Sequence, residues 1–136
     1  MHKVLISSII AVGILIITSS FFQKYDLKKS IERGKEAYAL YCINCHMADG
    51  NGTPDLYPPL AKADYLKKPS TTLINIILMG QTGEITVNKK KYNGIMPAQN
   101  YLTDDQVADI LNYTRNSFGN KITTAITPAQ VKALRK

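Results

Sequence analysis

Two cysteines, two residues apart, constrain this chain more than any other feature. Cys42 and Cys45 are the only cysteines in its 136 residues, so neither can form a disulfide with a cysteine elsewhere in the sequence. The pair must therefore bond with itself, with a metal or with a cofactor. A histidine follows directly, which makes the segment Cys42-Ile43-Asn44-Cys45-His46.

Three chemistries use a cysteine pair with this spacing. A redox dithiol is expected between a strand and a helix, whereas this pair follows a helical pattern and precedes a glycine-rich loop. A zinc site needs four ligands, and the only other histidine, His2, lies in the N-terminal apolar segment. In covalent haem attachment, each thiol adds to one vinyl group and the adjacent imidazole reaches the iron. The segment therefore predicts one covalently bound haem c, attached through Cys42 and Cys45 and ligated by His46.

The first twenty-two residues are typical of a membrane-targeting segment. The stretch from Val4 to Phe22 contains no charged residue, and as a helix it would extend about 28 Å, close to the bilayer's apolar thickness of about 30 Å. Its uninterrupted apolar part, Ile9 to Ile17, is short and precedes Thr-Ser-Ser, as in a cleaved signal peptide. We expect residues 1–22 to be a membrane anchor, with signal cleavage as the alternative. The remaining chain would then lie on the periplasmic side of the bacterial cytoplasmic membrane, either anchored or soluble.

The spacing of apolar residues and the positions of turn residues predict the secondary structure in the first half of the exported part. Ser30 is expected to cap a helix that reaches the cysteine pair. A second, short helix is predicted from Thr71 or Thr72 to Met79, ended by Gly80. The segment from residue 83 to residue 96 is rich in turn residues and includes a short alternating run, which predicts a small hairpin or an extended loop.

The second half carries the clearest helix signals. Thr103 and Gln106 form a capping box before a strongly amphipathic segment that extends to Phe118. Thr127 and Gln130 start a further short helix by the same logic. Helices therefore dominate, and the fold class is all-α. The expected organisation is an anchor or signal peptide (1–22), a linker (23–29), a haem domain (30–118) and a C-terminal extension with a short helix (119–136).

The chain resembles class I cytochromes c over most of residues 30–118. The resemblance depends on residues in the family's order: Gly34 and Tyr38 before the cysteine pair, Asp49-Gly50-Asn51-Gly52 after it, Pro58-Pro59-Leu60, Met96-Pro97, and Ile110 and Tyr113 in the last helix. It implies a small all-helical domain around one haem, in which the first and last helices cross. Gly34 would then let Tyr113 pack against bare backbone.

The same resemblance implies the remaining iron contacts. Met96 lies in a loop similar to the family's distal ligand loop and is the expected second axial ligand. Met47 adjoins the proximal histidine and is tied to the wrong face, and Met79 ends an apolar helical stripe, which predicts a core position. A backbone carbonyl of Pro58-Pro59 is similar in position to the family's acceptor for the histidine ring.

These residues predict a single-electron carrier and not an enzyme, because an iron with two protein ligands has no open site for a substrate. The alternatives are an open-site haem enzyme or gas sensor, and a structural or assembly subunit of a membrane redox complex. The resemblance extends to domains that serve terminal oxidases, nitrite reductases, quinol-oxidising complexes and periplasmic dehydrogenases, and any of these could be the redox partner. No catalytic residue is predicted.

The charge balance also bears on partners. The formal charge is +7, and two haem propionates would lower it to about +5, which suggests attraction to an acidic protein surface or to anionic lipid. Nucleic acid is a poor alternative, because the lysines are scattered and lack interleaved aromatic residues.

Overall fold

The first helix starts earlier than predicted. A computed structural model describes residues 25–135, and its helix α1 spans Leu27–Tyr41. The cap is Asp26, whose side chain accepts a hydrogen bond from the Lys29 backbone N–H at 3.1 Å. The predicted cap at Ser30 is therefore wrong, and α1 includes residues 27–29 of the predicted linker. Ser30 lies inside the first turn and is fully buried.

Helix α1 crosses the last long helix of the domain at Gly34. A Cβ atom at Gly34 would lie only 2.7 Å from the Tyr113 Cβ and would overlap the Asp109 carbonyl oxygen. The backbones approach so closely that no side chain fits between them. The expected role of Gly34 is confirmed, and the helix that it contacts contributes part of the apolar core.

Two short helices and one longer helix follow α1. Helix α2 is a single turn, Ile43–His46, a 3₁₀ helix spans Asp64–Lys67, and α3 spans Ser70–Met79. The apolar residues that α3 buries are Leu73, Ile74, Ile77 and Leu78. The predicted core position of Met79 is wrong, because its side chain is 54% exposed.

The turn-rich segment after α3 contains a two-stranded antiparallel hairpin. Strands β1 (Ile85–Val87) and β2 (Lys90–Tyr92) pair with Ile85 opposite Tyr92. Two hydrogen bonds join the hairpin turn to the 3₁₀ helix, since Asn88 N–H donates to Asp64 at 2.8 Å and Asp64 N–H donates to Asn88 at 3.0 Å. The hairpin is thereby held against the core.

Both predicted capping boxes are present. Helix α4 spans Asp104–Asn116 with its box at Thr103 and Gln106, and α5 spans Pro128–Lys132 with its box at Thr127 and Gln130. The C-terminal extension packs on the same core, because the buried core cluster includes Ile126 and Val131.

A buried polar network joins α1, α4 and the extension. Asp109 is 3% exposed; it accepts a hydrogen bond from Ser30 Oγ at 2.5 Å and pairs with Arg33 at 2.7 Å. The Asn112 side-chain amide donates to Ser30 Oγ at 2.9 Å and to the Ile126 carbonyl, and its oxygen accepts from the Ile126 backbone N–H. The mostly helical fold agrees with the sequence. The predicted membrane segment, residues 1–22, lies outside the described residues, and residues 25–135 include no helix of the length and apolarity that crossing a membrane requires.

Candidate haem site

The cysteine pair lies at the junction of two helices. Helix α1 ends at Tyr41, Cys42 follows, and the single turn of α2 carries Cys45 and His46. The His46 N–H donates to the Cys42 carbonyl at 3.0 Å, which closes this turn. The two cysteines are not joined to each other by a disulfide, and both are partly buried.

Both thiols and His46 line one cavity of about 290 Å³. Most of its walls are apolar side chains from every part of the domain. They include Leu60, Leu66, Leu73, Ile76, Ile77, Ile85, Val87, Leu102, Ile110 and Leu111. The fold therefore places the predicted attachment residues in the lining of a mostly apolar cavity.

The His46 ring is oriented by a backbone carbonyl. The Pro58 carbonyl oxygen lies 3.4 Å from His46 Nδ1, slightly beyond the usual N–H···O distance of about 2.7–3.2 Å. A proton on Nδ1 would be donated to this oxygen and would leave the lone pair of Nε2 free. Burial lowers the pKa of His46, partly opposed by the Pro58 carbonyl, and this direction favours the neutral imidazole that a metal requires as a ligand.

Of the three methionines in residues 25–135, only Met96 lines the cavity; Met47 and Met79 are exposed and lie outside it. The Met96 backbone is fixed by two hydrogen bonds with Gln81, each 2.9 Å long. Gly80, at φ +78°, permits this pairing, because a Cβ atom there would lie 2.5 Å from the Met96 carbonyl oxygen.

The two rival chemistries of the cysteine pair find no support. Burial, together with the nearby Cys45, raises the pKa of the Cys42 thiol to about 12, which disfavours the thiolate form of this sulfur that redox exchange would need. Nor does the described part of the chain contain a group of three or more His, Cys, Asp or Glu side chains able to hold a metal ion. A zinc site at the pair is therefore not formed by these residues.

The donor set fits a haem. The lining of the apolar cavity includes two thiols, an imidazole and the thioether of Met96. A large flat apolar cofactor needs such walls, and its iron takes nitrogen and sulfur ligands.

The sequence predicted the two thiols, the imidazole and the thioether, but it did not predict most of the apolar residues that line the cavity. Tyr57 and Tyr65 line the cavity, whereas Tyr92 and Tyr101 do not. Tyr41 also lines it, and its position directly before Cys42 was the signal that could have found it. The apolar wall residues carry no sequence signal that distinguishes them from the rest of the core.

Tyr38 stabilises the loop after the cysteine pair. Its hydroxyl donates to the Met47 carbonyl at 2.7 Å, and its ring packs against those of Tyr113 and Phe118, with centroids 5.4 Å away. The buried ring thus connects α1 and α4 to the segment that follows His46.

The fold and the cavity define a small haem-binding domain of the cytochrome c type. Comparison with protein families agrees, since the family described as Cytochrome c matches residues 31–118. The chain therefore belongs to the cytochrome c family.

The curated relatives include a protein named as a cytochrome and proteins named as cytochrome c subunits of dehydrogenases. Cytochrome c-552 of Thermus thermophilus is 36% identical over an alignment of 110 residues that covers 75% of this chain and 83% of the relative. The cytochrome c subunit of the quinone alcohol dehydrogenase of Gluconobacter oxydans is 29% identical over 103 residues, or 75% of this chain but 22% of the relative. The gluconate 2-dehydrogenase cytochrome c subunit of Pantoea cypripedii is 35% identical over 108 residues. This alignment covers 77% of this chain and 24% of the relative.

Family membership establishes the cofactor and the general function. The cofactor is a covalently bound haem c with its iron, and the protein transfers electrons. The predicted haem and the predicted electron-carrier function are confirmed.

Proposed function

We propose that Cys42 and Cys45 attach the haem and that His46 and Met96 are its axial iron ligands. The observation that carries this proposal is the single apolar cavity that all four side chains line. Each thiol would add across one vinyl group, with sulfur bonding to one carbon and the thiol hydrogen going to the other.

The protein's residues would orient and enclose the cofactor, and the bound haem would supply the one-electron chemistry. The Pro58 carbonyl would hold the His46 ring so that Nε2 points into the cavity. The Gln81 pairing would hold the Met96 loop in place, and a thioether opposite an imidazole favours the ferrous state. With both axial positions filled by protein, electrons would pass without a bond to the partner.

The ligand assignment is tested by comparing two methionine variants. Met96→Ala should keep the haem, lose the near-infrared sulfur-to-iron band of the oxidised protein, lower the reduction potential and admit carbon monoxide. Met79→Ala is the matched control, because its side chain is exposed and outside the cavity. Loss of the band in Met79→Ala alone would overturn the assignment. Wild-type protein without the band would favour the open-site enzyme or sensor instead.

We also propose a dehydrogenase as the redox partner. Relatives named as cytochrome c subunits of alcohol and gluconate dehydrogenases support this choice, although the chain spans only about a quarter of their length or less. Terminal oxidases, nitrite reductases and quinol-oxidising complexes are the other candidates. Purification from native membranes would test this, since co-purification of a dehydrogenase subunit is expected and co-purification of an oxidase would contradict it.

We propose in addition that residues 1–22 anchor the domain on the periplasmic side of the bacterial cytoplasmic membrane. The apolar length of that segment and the covalent haem attachment support this location. The alternative is a soluble periplasmic protein released by signal cleavage.

A further inference from the structure

The C-terminal extension holds the segment that joins Met96 to helix α4. We call residues 97–102 the distal segment, and its last residue, Leu102, lines the cavity. The Arg135 guanidinium donates to the Asn100 carbonyl at 2.8 Å and also to the Leu102 carbonyl. In the described part of the chain, no other protein group donates a hydrogen bond to either oxygen. The end of the distal segment is therefore tied to a residue that follows α5.

Arg135 is itself held in one orientation. Its Nε donates to the Asp104 carboxylate at 2.5 Å, and the two side chains are only 30% and 26% exposed. The helix before it is fixed by Val131, which is fully buried, and Leu134 packs against the same core. A planar guanidinium can bind a carboxylate and two carbonyls in one fixed geometry, which a lysine ammonium cannot reproduce. Arg135 thus presents a preformed fork of donors to the distal segment.

Two further contacts hold the earlier part of this loop. Met96 exchanges backbone hydrogen bonds with Gln81, and the Gln99 N–H donates to the Ile77 carbonyl at 2.8 Å. These four residues lie within the part of the chain that matches the cytochrome c family, whereas Arg135 lies beyond it. The extension therefore adds a restraint on the loop from outside the region matched to the family.

We propose that Arg135 is a positioning residue for Met96, whose guanidinium holds the distal segment in place and thereby keeps the thioether on the iron. This inference rests on the proposed function, because it takes Met96 as the axial ligand. Displacement of the loop that carries Met96 would move the distal segment with it, since the two are continuous. That movement would break hydrogen bonds to a charged donor, which are stronger than those between neutral groups. Without these bonds, local opening of the segment should cost less free energy and occur more often.

Carbon monoxide binding to the reduced full-length holoprotein tests this role, because the gas can bind only after the thioether has left the iron. Arg135→Ala should bind carbon monoxide about ten-fold faster than the wild type. Arg135→Lys keeps the charge but not the planar fork, so its rate should lie between the two. This variant also carries the test if Arg135→Ala does not accumulate. On heating of the oxidised proteins, the near-infrared sulfur-to-iron band should disappear at a lower temperature in Arg135→Ala than in the wild type.

Two control variants separate positioning from charge and from overall stability. Lys132→Ala removes a positive charge from an exposed position on α5 and should change the carbon monoxide rate less than about two-fold. Asn116→Ala removes a hydrogen bond of 3.0 Å from α4 to the Ile122 carbonyl, and so loosens the extension without a contact to the distal segment. In denaturant titrations Asn116→Ala should lose stability, yet its carbon monoxide rate should stay within about two-fold of the wild type.

Rates within about two-fold of the wild type in both Arg135 variants would contradict the positioning role. Equal acceleration in Arg135→Ala and Asn116→Ala would contradict it as well, because Arg135 would then act only through the overall stability of the fold. Wild-type holoprotein without the near-infrared band would contradict the Met96 assignment and with it the proposed ligation. A wild type that shows the band, with carbon monoxide rates insensitive to Arg135, would contradict only the positioning role.

Discussion

Cys42, Cys45 and His46 should be indispensable for a stable haem protein. The apolar walls of the cavity come from most of the chain, and without the cofactor these surfaces lose their main contact. We expect Cys42→Ala, Cys45→Ala and His46→Ala to yield no stable holoprotein, as judged by the absorbance of purified protein and by haem staining on denaturing gels.

The matched control for these variants is Met47→Ala. Met47 directly follows His46, but its side chain is exposed and does not line the cavity. This variant should therefore accumulate with a normal spectrum. A His46→Ala protein that kept a six-coordinate spectrum would refute the role of that histidine.

At the scale of elements, the crossing of α1 and α4 depends on a glycine, Gly34, which has no side chain. Gly34→Ala would place a methyl group against the Asp109 carbonyl and the Tyr113 Cβ, so the helices would have to separate. We expect a loss of at least about 3 kcal/mol in the free energy of unfolding, or no folded protein. Lys35→Ala, at the exposed neighbouring position, should change this free energy by less than about 0.5 kcal/mol. Equal stability of the two variants in denaturant titrations would show that the helices do not cross at Gly34.

The same crossing depends on the buried carboxylate of Asp109. Asp109→Ala would leave the hydroxyl of Ser30 without its acceptor and Arg33 without its partner. We expect the free energy of unfolding to fall by about 2–3 kcal/mol, less than for a fully buried pair because the Arg33 side chain is half exposed. The control is Asp105→Ala, an exposed acid on the same helix. Denaturant titrations in which both variants lost the same stability would contradict the importance of the network.

The limits of sequence interpretation follow from these elements. The capping boxes at Thr103 and Thr127 were predictable because both partners lie within one turn of chain. Ser30 was misassigned as a cap because its partners, Asp109 and Asn112, are about eighty residues away. No local pattern reports such distant hydrogen bonds.

The same difference between local patterns and distant contacts applies to the residues of the haem site. The cysteine pair and its histidine are contiguous in sequence, so their chemistry was visible at once. The exposure of Met79 was not predictable, because its helical apolar stripe is the pattern of a core residue and only the packing of α3 places it outside.

At the scale of the whole molecule, the start of α1 limits how far an anchored domain could reach. Only residues 23–26 separate Phe22 from the helix that begins at Leu27, and fully extended they would span at most about 14 Å. If residues 1–22 are retained, the haem domain stays near the bilayer. It can then dock only with partners whose binding surface lies at a similar distance from the membrane.

Intact mass measurement of the purified native protein decides between anchor and signal peptide. We expect the mass of the full chain plus one haem, recovered in the membrane fraction. A mature N-terminus at or near Phe21 would contradict the anchor and make the protein a freely diffusing carrier.

The most direct test of the haem assignment is the mass of the proteolytic peptide that contains Cys42, Cys45 and His46. We predict that this peptide carries the mass of one haem and that neither thiol reacts with an alkylating reagent. An unmodified peptide with two alkylated cysteines, isolated from haem-replete protein, would contradict the assignment.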